Sequence, residues 1–171
     1  KAADLERYRK SMASIGIDLG PSIESGLLHL QANRPTYYGL EAHLAVIHQA
    51  IARFSPSVVI LDPISNLSLG SATFETKSML MRLVDYLKAN AITALFTSLT
   101  SEEPHDGLIN EIGISSLIDT WLVLSVNTRQ GQHQRALTIR KSRGMAHSDR
   151  SAVLMLTDHG IELKNVEAVS V

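Results

Sequence analysis

An aspartate stands at the end of a short apolar run in the first half of the chain. Residues 58–61 read Val-Val-Ile-Leu, and Asp62, Pro63 and Ser65 follow. A continuous apolar run bounded by turn-forming residues predicts a strand buried on both faces, as in parallel sheets. Open α/β sheets hold ligands beside the C-terminal ends of such strands. The alternative is that Asp62 begins a turn, because Asp-Pro is a common turn signal.

Hydroxyl side chains end a second apolar run. Residues 92–98 predict another buried strand, which ends in Thr97 and Ser98. At the end of a strand next to Asp62 and Ser65, these hydroxyls are expected to orient a water molecule or contact a phosphate. The residues leave an alternative equally open, in which the hydroxyls only hydrogen-bond turn backbone.

A basic segment near the end of a later strand is the third candidate. Arg140, Lys141 and Arg143 lie within four residues, and Gly144 and His147 follow. In a strand, Lys141 and Arg143 share one face. Two cations on one face predict a phosphate clamp, because arginine offers a planar fork of donors and lysine a point charge. Gly144 permits close backbone approach or a positive φ. The alternative is an ordinary solvated basic hairpin.

A phosphate-cradling loop is missing from this sequence. In P-loop NTPases an aspartate in the position of Asp62 holds the Mg²⁺ that bridges ATP phosphates. Those enzymes also carry a Gly-x-x-x-x-Gly-Lys-Ser/Thr loop, which does not occur here. Because that loop precedes the aspartate-bearing strand, we expect residues 1–171 to be a single partial domain without its N-terminal Walker A segment. Alone, such a chain should not bind ATP tightly or hydrolyse it.

The elements that position these residues follow from apolar periodicity. Residues 1–12, 38–54 and 77–90 predict helices, with one further turn at 22–26 and a short strand at 27–30. Strand, helix and strand over residues 57–98 indicate a parallel βαβ core. A polar loop covers residues 101–119, and long loops in compact domains are often functional. Runs at 120–126, 135–141, 151–157 and 161–163, separated by turns at 127–134 and 142–150, indicate an antiparallel meander that continues the same sheet.

Composition limits the function classes. Hydrophobic residues make up 44% and charged residues 19%, which indicates a globular domain. The net charge of −1 gives no basic balance for nucleic acid, so nucleic acid is not an expected partner. The absence of cysteine excludes disulfides and thiolate chemistry. No apolar stretch has membrane-spanning length, so a cytoplasmic location is expected.

Several ordered segments together resemble the KaiC family, the RecA-like ATPases and autokinases of the cyanobacterial circadian clock. The resemblance covers nearly the whole chain. Its segments are residues 33–35 with 38–41, 58–65, 113–120 and 141–147. It implies an α/β fold, namely a partial RecA-like P-loop NTPase with a parallel βαβ core extended by an antiparallel C-terminal β-meander.

The resemblance also implies site residues and partners. It implies a hexameric ring with Mg²⁺ and ATP between subunits, with Asp62 as the Walker B metal ligand. Lys141 and Arg143 correspond to cations that reach the phosphates of a neighbouring subunit, and His147 lies near the same nucleotide. Ser115 and Ser116 match a hydroxyl pair that becomes phosphorylated, with Asp119 expected to stay close to them. Clock-type or signalling proteins are the further partners it implies.

Two other functions are compatible with the residues. One is a RecA-like DNA-repair ATPase, which needs a basic loop for DNA, and the chain offers only scattered cations between residues 127 and 135. The other is a non-catalytic oligomerisation module that uses the meander and the basic hairpin for subunit contact only.

Overall fold

The backbone divides into two units. The computed structural model describes residues 2–32, 39–68, 73–99, 116–129 and 132–165. One unit, here called the helix unit, is Asn33–Ile118, and the other, the sheet unit, combines Lys1–Ala32 with Asp119–Val171. The elements in chain order are α1 (Ala2–Ala13), α2 (Gly20–Glu24), α3 (Leu40–Phe54), β1 (Val58–Leu61), a short 3-10 helix (Ile64–Ser68), α4 (Thr73–Ala89), β2 (Thr93–Phe96), β3 (Thr120–Arg129), β4 (Gln132–Ser142), β5 (Ala152–Thr157) and β6 (Gly160–Asn165).

The parallel core is the centre of the helix unit. Strands β1 and β2 pair in parallel, from Val58 opposite Thr93 to Leu61 opposite Phe96, which confirms the predicted βαβ arrangement. The apolar stripes of α3 and α4 pack on one face of this pair. Ile51 of α3 and Leu83 and Leu87 of α4 form a buried cluster there, against Val59, Leu61 and Phe96 of the strands. Burial of large apolar side chains is the main stabilising contribution to this unit.

The opposite face of the parallel pair differs from the prediction. Val58, Ile60 and Leu95 point away from the helices and are 52%, 58% and 48% exposed. The prediction that β1 is buried on both faces is therefore wrong for this structure. The physical reason is that, among the described residues, α3 and α4 cover the same face of the pair. The apolar run at 58–61 suits a strand that is covered on both faces, whereas among the described residues the two helices cover only one face.

Helix α3 begins and ends close to the predicted bounds. It starts after Gly39 and ends at Phe54, and Ser55 adopts the left-handed conformation at φ 48°. The Ser55 N–H donates to the carbonyl of Ile51 over 2.8 Å and closes the last turn. Helix α4 starts at Thr73, four residues before the predicted position. Its apolar residues Leu80, Leu83 and Leu87 are fully buried, as their spacing predicts.

The sheet unit contains a four-stranded antiparallel meander in the order β3-β4-β5-β6. Strands β3 and β4 pair along their whole length, from Thr120 opposite Ser142 to Arg129 opposite Gln132. The predicted turn at residues 127–134 is therefore wrong for most of its length. Polar residues such as Asn127 and Gln134 lie in the strands because an antiparallel ladder with a solvated face tolerates them.

Two further sheet predictions need correction. The meander was expected to continue the parallel sheet, but the described strands form two separate sheets, one in each unit. Adjacent antiparallel strands pair through short local connections, so β3 to β6 form a complete ladder among themselves. Residues 27–30, predicted as a short strand, have irregular backbone.

A glycine in the turn after α1 lies close to the β5–β6 turn inside the sheet unit. Gly16 has φ +76°, and a Cβ there would overlap the carbonyl oxygen of Asp158 and lie 3.1 Å from the Cα of His159. Only glycine combines this conformation with this close backbone approach. Within the described residues, no helix is both long and apolar enough to cross a membrane.

Candidate functional site

Asp62, Ser65 and Thr97 meet at the C-terminal ends of the two parallel strands, and we call them the strand-end cluster. The Thr97 hydroxyl donates a hydrogen bond to Oδ1 of Asp62. The backbone supports this contact from both sides. The Thr97 N–H donates to the carbonyl of Leu61 over 3.1 Å, and the Ile64 N–H donates to the carbonyl of Thr97 over 2.8 Å. The sheet register therefore brings the predicted carboxylate and hydroxyl together.

Local sequence explains why the chain turns immediately after Asp62. Pro63 has no N–H for the ladder, so β1 ends at Leu61. The Asp62–Pro63 peptide is cis. The buried Ile64 then anchors the 3-10 helix in a cluster with Leu40, Met79 and Leu80. Asp62 itself stays exposed at the tip of this turn.

Ser65 hydrogen-bonds turn backbone. Its Oγ accepts from the Leu99 N–H at 3.4 Å, so it ties the chain after β2 to the 3-10 helix. This is the alternative role that the sequence left open. Ser98 does not join this arrangement. Its Oγ is buried and has no hydrogen-bond partner among the described residues.

The chemistry of the cluster fits a hard cation with phosphate ligands. Mg²⁺ prefers oxygen donors and is usually held by one or two carboxylates, with waters and substrate phosphates completing the shell. The exposed Asp62 carboxylate supplies one such oxygen donor, and the hydroxyl of Thr97 orients it. Within the described ranges, no group of three or more histidines or carboxylates forms a metal site by itself. A metal bound by Asp62 would therefore need further oxygen ligands from outside the strand-end cluster.

The basic segment takes a different shape from the prediction. Strand β4 ends at Ser142, and Arg143 and Gly144 form a turn. The strand alternation that would place Lys141 and Arg143 on one face therefore stops before Arg143. Gly144 has φ +71°, and a Cβ there would meet nothing within 4 Å, so the predicted positive φ is confirmed. We call residues 140–144 the basic turn.

Asp119 holds Arg143 by two contacts inside the sheet unit. The Arg143 N–H donates to the Asp119 carbonyl over 2.8 Å. One guanidinium nitrogen, Nη1, lies 3.8 Å from Oδ1 of Asp119, with the two side chains 49% and 57% exposed. The sequence suggested Asp119 as a neighbour of the serines and missed this pairing. Only the β3–β4 register could have revealed it, because 23 residues separate the two partners.

Trp121 is a second contact that the sequence did not predict. The register of β3 and β4 shifts between Trp121 and Leu122, so that Trp121 faces Lys141 and Leu122 faces Ile139. Arg140 is the extra residue of this bulge, and its Cζ lies 5.9 Å from the centroid of the Trp121 ring. A guanidinium at this distance makes a cation–π contact.

The remaining predicted residues have varied surroundings. Lys141 is half-buried in β4, and His147 is exposed in the irregular segment after the basic turn. Ser116 is exposed in a turn, whereas Ser115 lies outside the described residues. The predicted site residues thus fall into two groups, one in each unit. Asp62, Ser65 and Thr97 come together in the helix unit, while Lys141, Arg143 and His147 belong to the sheet unit.

Comparison with known proteins identifies the family. The family model described as "ATPase: KaiC" matches residues 2–168. A circadian clock protein KaiC2 from Synechocystis sp. is 44% identical over 155 residues, covering 90% of this chain and 27% of that protein. Circadian clock oscillator proteins KaiC are 32% identical in Acaryochloris marina and 31% identical in Prochlorococcus marinus.

These two matches cover 95% and 91% of the chain. They also cover 33% and 31% of the oscillator proteins' own length, so the chain spans at most a third of these relatives. The described elements agree with this match, with a parallel βαβ core and an antiparallel meander in the order expected of a RecA-like P-loop fold. The chain therefore belongs to the KaiC ATPase family.

Proposed function

We propose that the chain is part of a protein that binds and hydrolyses Mg-ATP, with the strand-end cluster as one half of the nucleotide site. The observation that carries this proposal is the hydrogen bond from Thr97 to the Asp62 carboxylate at the ends of two parallel strands. Ligands of open α/β sheets bind at these strand ends. Membership of the KaiC ATPase family supports nucleotide as the ligand.

Each residue of the cluster has a role in this proposal. Asp62 directs one carboxylate oxygen to the metal, while Thr97 holds the other through its hydroxyl. Ser65 fixes the distance between the two strand-end turns through its contact with Leu99. Bound Mg²⁺ would supply charge stabilisation for the transferring phosphoryl group. The Walker A loop would come from sequence outside these residues, because the chain contains no such motif.

The basic turn is proposed to act on the nucleotide of a neighbouring subunit in a hexameric ring. Arg143 is half exposed and Lys141 lies two residues before it at the end of β4, which supports the proposal that the two cations act on one nucleotide. His147 follows in an exposed segment and is assigned to the same nucleotide. Cations supplied in trans stabilise the charge that spreads over the phosphoryl oxygens in the transition state.

We also propose that phosphorylation of Ser115 or Ser116 regulates the protein. Ser116 is exposed in a turn, as a phosphorylated hydroxyl must be, and Ser115 precedes it in the chain. Phosphorylation there would add negative charge shortly before Asp119 and alter the local balance of charge. The relatives are named as circadian clock proteins, which supports a signalling role with clock-type partners. Mass spectrometry of the full-length protein after incubation with Mg-ATP tests this, since phosphate on neither serine would remove the autokinase function.

We further propose that the chain is one partial domain of a cytoplasmic protein. A DNA-repair ATPase is disfavoured by the net charge of −1 and would reveal itself by DNA-stimulated turnover.

ATP turnover of the full-length protein tests the central proposal. Asp62→Asn should abolish Mg²⁺-dependent hydrolysis, and the double variant Lys141→Ala with Arg143→Ala should reduce kcat by about 10³-fold or more while the ring still assembles. Arg150→Ala is the matched control, because Arg150 is an exposed cation in the same unit outside the basic turn. Unchanged turnover in the double variant with an intact ring would instead support an assembly module.

A further inference from the structure

The start of β3 contacts the basic turn at three successive positions. Asp119 binds Arg143 through its carbonyl at 2.8 Å and its carboxylate at 3.8 Å. The hydroxyls of Thr120 and Ser142 lie 3.4 Å apart. Trp121 contacts Arg140 from across the bulge. The basic turn is therefore fixed to a regular strand rather than carried on a free loop.

The bulge and the glycine together set the direction in which Arg143 leaves the sheet. Bulges insert one residue, bend the strand and re-aim the side chains that follow. Here the inserted residue is Arg140, three positions before Arg143. Gly144 then turns the chain away at φ +71°. Arg143 thus stands at the tip of the turn with its backbone held by Asp119.

The side-chain contact between Asp119 and Arg143 adds orientation rather than much stability. Both side chains are about half exposed, and exposed ion pairs contribute little to folding because water and salt screen them. A guanidinium carries five N–H donors in a rigid planar fork. Oδ1 of Asp119 lies 3.8 Å from one terminal nitrogen, Nη1, which is an ion-pair distance and not a hydrogen bond, so the carboxylate attracts that end of the fork.

We propose that Asp119 is a positioning residue for Arg143. Its carbonyl holds the Arg143 backbone and its carboxylate attracts one end of the guanidinium, so that the other edge of the fork is presented to a phosphate group of the neighbouring subunit's nucleotide. The inference rests on the proposed function, because it assigns Asp119 a role only through Arg143. Asp119 does not touch the phosphate itself, since two negative groups repel each other.

A double-mutant cycle on ATP hydrolysis by the full-length protein tests this role. Asp119→Asn retains the backbone carbonyl that accepts from Arg143 but removes the charge that holds the guanidinium. We expect kcat to fall about ten-fold with KM changed less than about two-fold, because misplaced catalytic groups cost rate rather than ground-state binding. In the Arg143→Ala background, Asp119→Asn should cause no further loss.

The conservative variants and the control sharpen the test. Arg143→Lys keeps the charge but has no planar fork, so its kcat should also be insensitive to Asp119→Asn. Asp119→Glu should recover part of the lost kcat. Asp158→Asn removes an exposed carboxylate elsewhere in the same unit and should leave kcat and KM unchanged.

The outcomes separate this inference from the proposed function. An equal loss of kcat from Asp119→Asn in the Arg143→Ala background means a structural role for Asp119 and overturns the inference alone. A lower KM or higher kcat in Asp119→Asn means that Asp119 competes with phosphate for Arg143, and it also overturns the inference. An Arg143→Ala variant with unchanged kcat overturns the proposed trans-acting role itself.

Discussion

The hydroxyl of Thr97 and the carboxylate of Asp62 are joined by a hydrogen bond across the ends of two neighbouring parallel strands. Each residue directly follows the last paired residue of its strand, because Leu61 and Phe96 form the final pair between β1 and β2. The carboxylate is therefore oriented by a residue at the end of the neighbouring strand. In the proposed Mg²⁺ site, a partner that orients the ligand would favour metal binding.

Replacing Thr97 by valine tests the importance of this hydrogen bond. Thr97→Val keeps the shape of the side chain but removes the donor, so Asp62 loses its orientation. In the full-length protein we expect a 10–100-fold rise in the Mg²⁺ concentration needed for half-maximal ATP turnover, in the range typical of groups that orient metal ligands. Thr97→Ser should restore most of the response.

Thr93→Val is the matched control for that experiment. Thr93 is the first residue of β2, so it lies at the opposite end of the strand from Thr97, and it is exposed. Its substitution should leave the Mg²⁺ dependence unchanged. An equal response in both variants would mean that β2 as a whole, and not the Thr97 hydroxyl, controls metal binding.

The stability of the helix unit should depend on α4 in a position-specific way. Leu83 is fully buried, whereas Met81 on the same helix is 39% exposed. Leu83→Ala leaves a cavity against Ile51 and Leu87 and should lower the free energy of unfolding by about 3–5 kcal/mol. Met81→Ala should lower it by less than about 1 kcal/mol. Urea unfolding followed by circular dichroism measures both, and similar values would contradict the core assignment.

The sequence predicted the features that depend on local pattern. The stripe from Leu40 to Ile51 predicts α3, and the apolar run ending in Asp62 predicts β1, because side-chain periodicity reflects which face is buried. The proximity of Asp62 and Thr97 was also predictable, since parallel strands end at one edge of a sheet. Several motifs in the same order then supported membership of the KaiC family, which no single motif could have done.

Other features depend on distant pairing and were not predictable. The polar residues 127–129 and 132–134 have turn-like types, yet they lie in long strands because each finds a ladder partner across the hairpin. The ion pair of Asp119 with Arg143 depends on the same register. The exposed face of Val58 and Ile60 could not be deduced from their apolar character, because it depends on which elements cover the sheet.

Gly16 should tolerate no side chain, for two separable reasons. An L-residue at φ +76° costs about 1–2 kcal/mol, and a Cβ at this position would also overlap the backbone of Asp158. Gly26 provides the control, since it has φ +73° and nothing within 4 Å of an added Cβ. Gly16→Ala should therefore destabilise the protein by about 1–3 kcal/mol more than Gly26→Ala, the range typical of overpacking. Equal losses of unfolding free energy would show that the turn after α1 does not pack closely against the β5–β6 turn.

The contact between Arg140 and Trp121 should contribute measurably to the sheet unit, although Arg140 is exposed. Its guanidinium lies 5.9 Å from the ring centroid, and cation–π contacts at exposed sites contribute about 0.5–1 kcal/mol. Arg140→Gln should lower the free energy of unfolding by about that amount, and Arg150→Gln, which removes an exposed cation after the turn, should not. In a Trp121→Leu background the two glutamine variants should become equivalent, because the aromatic partner is gone. If Arg140→Gln retained its cost there, the guanidinium would stabilise the bulge through other contacts, and Trp121 would have no part in fixing the basic turn.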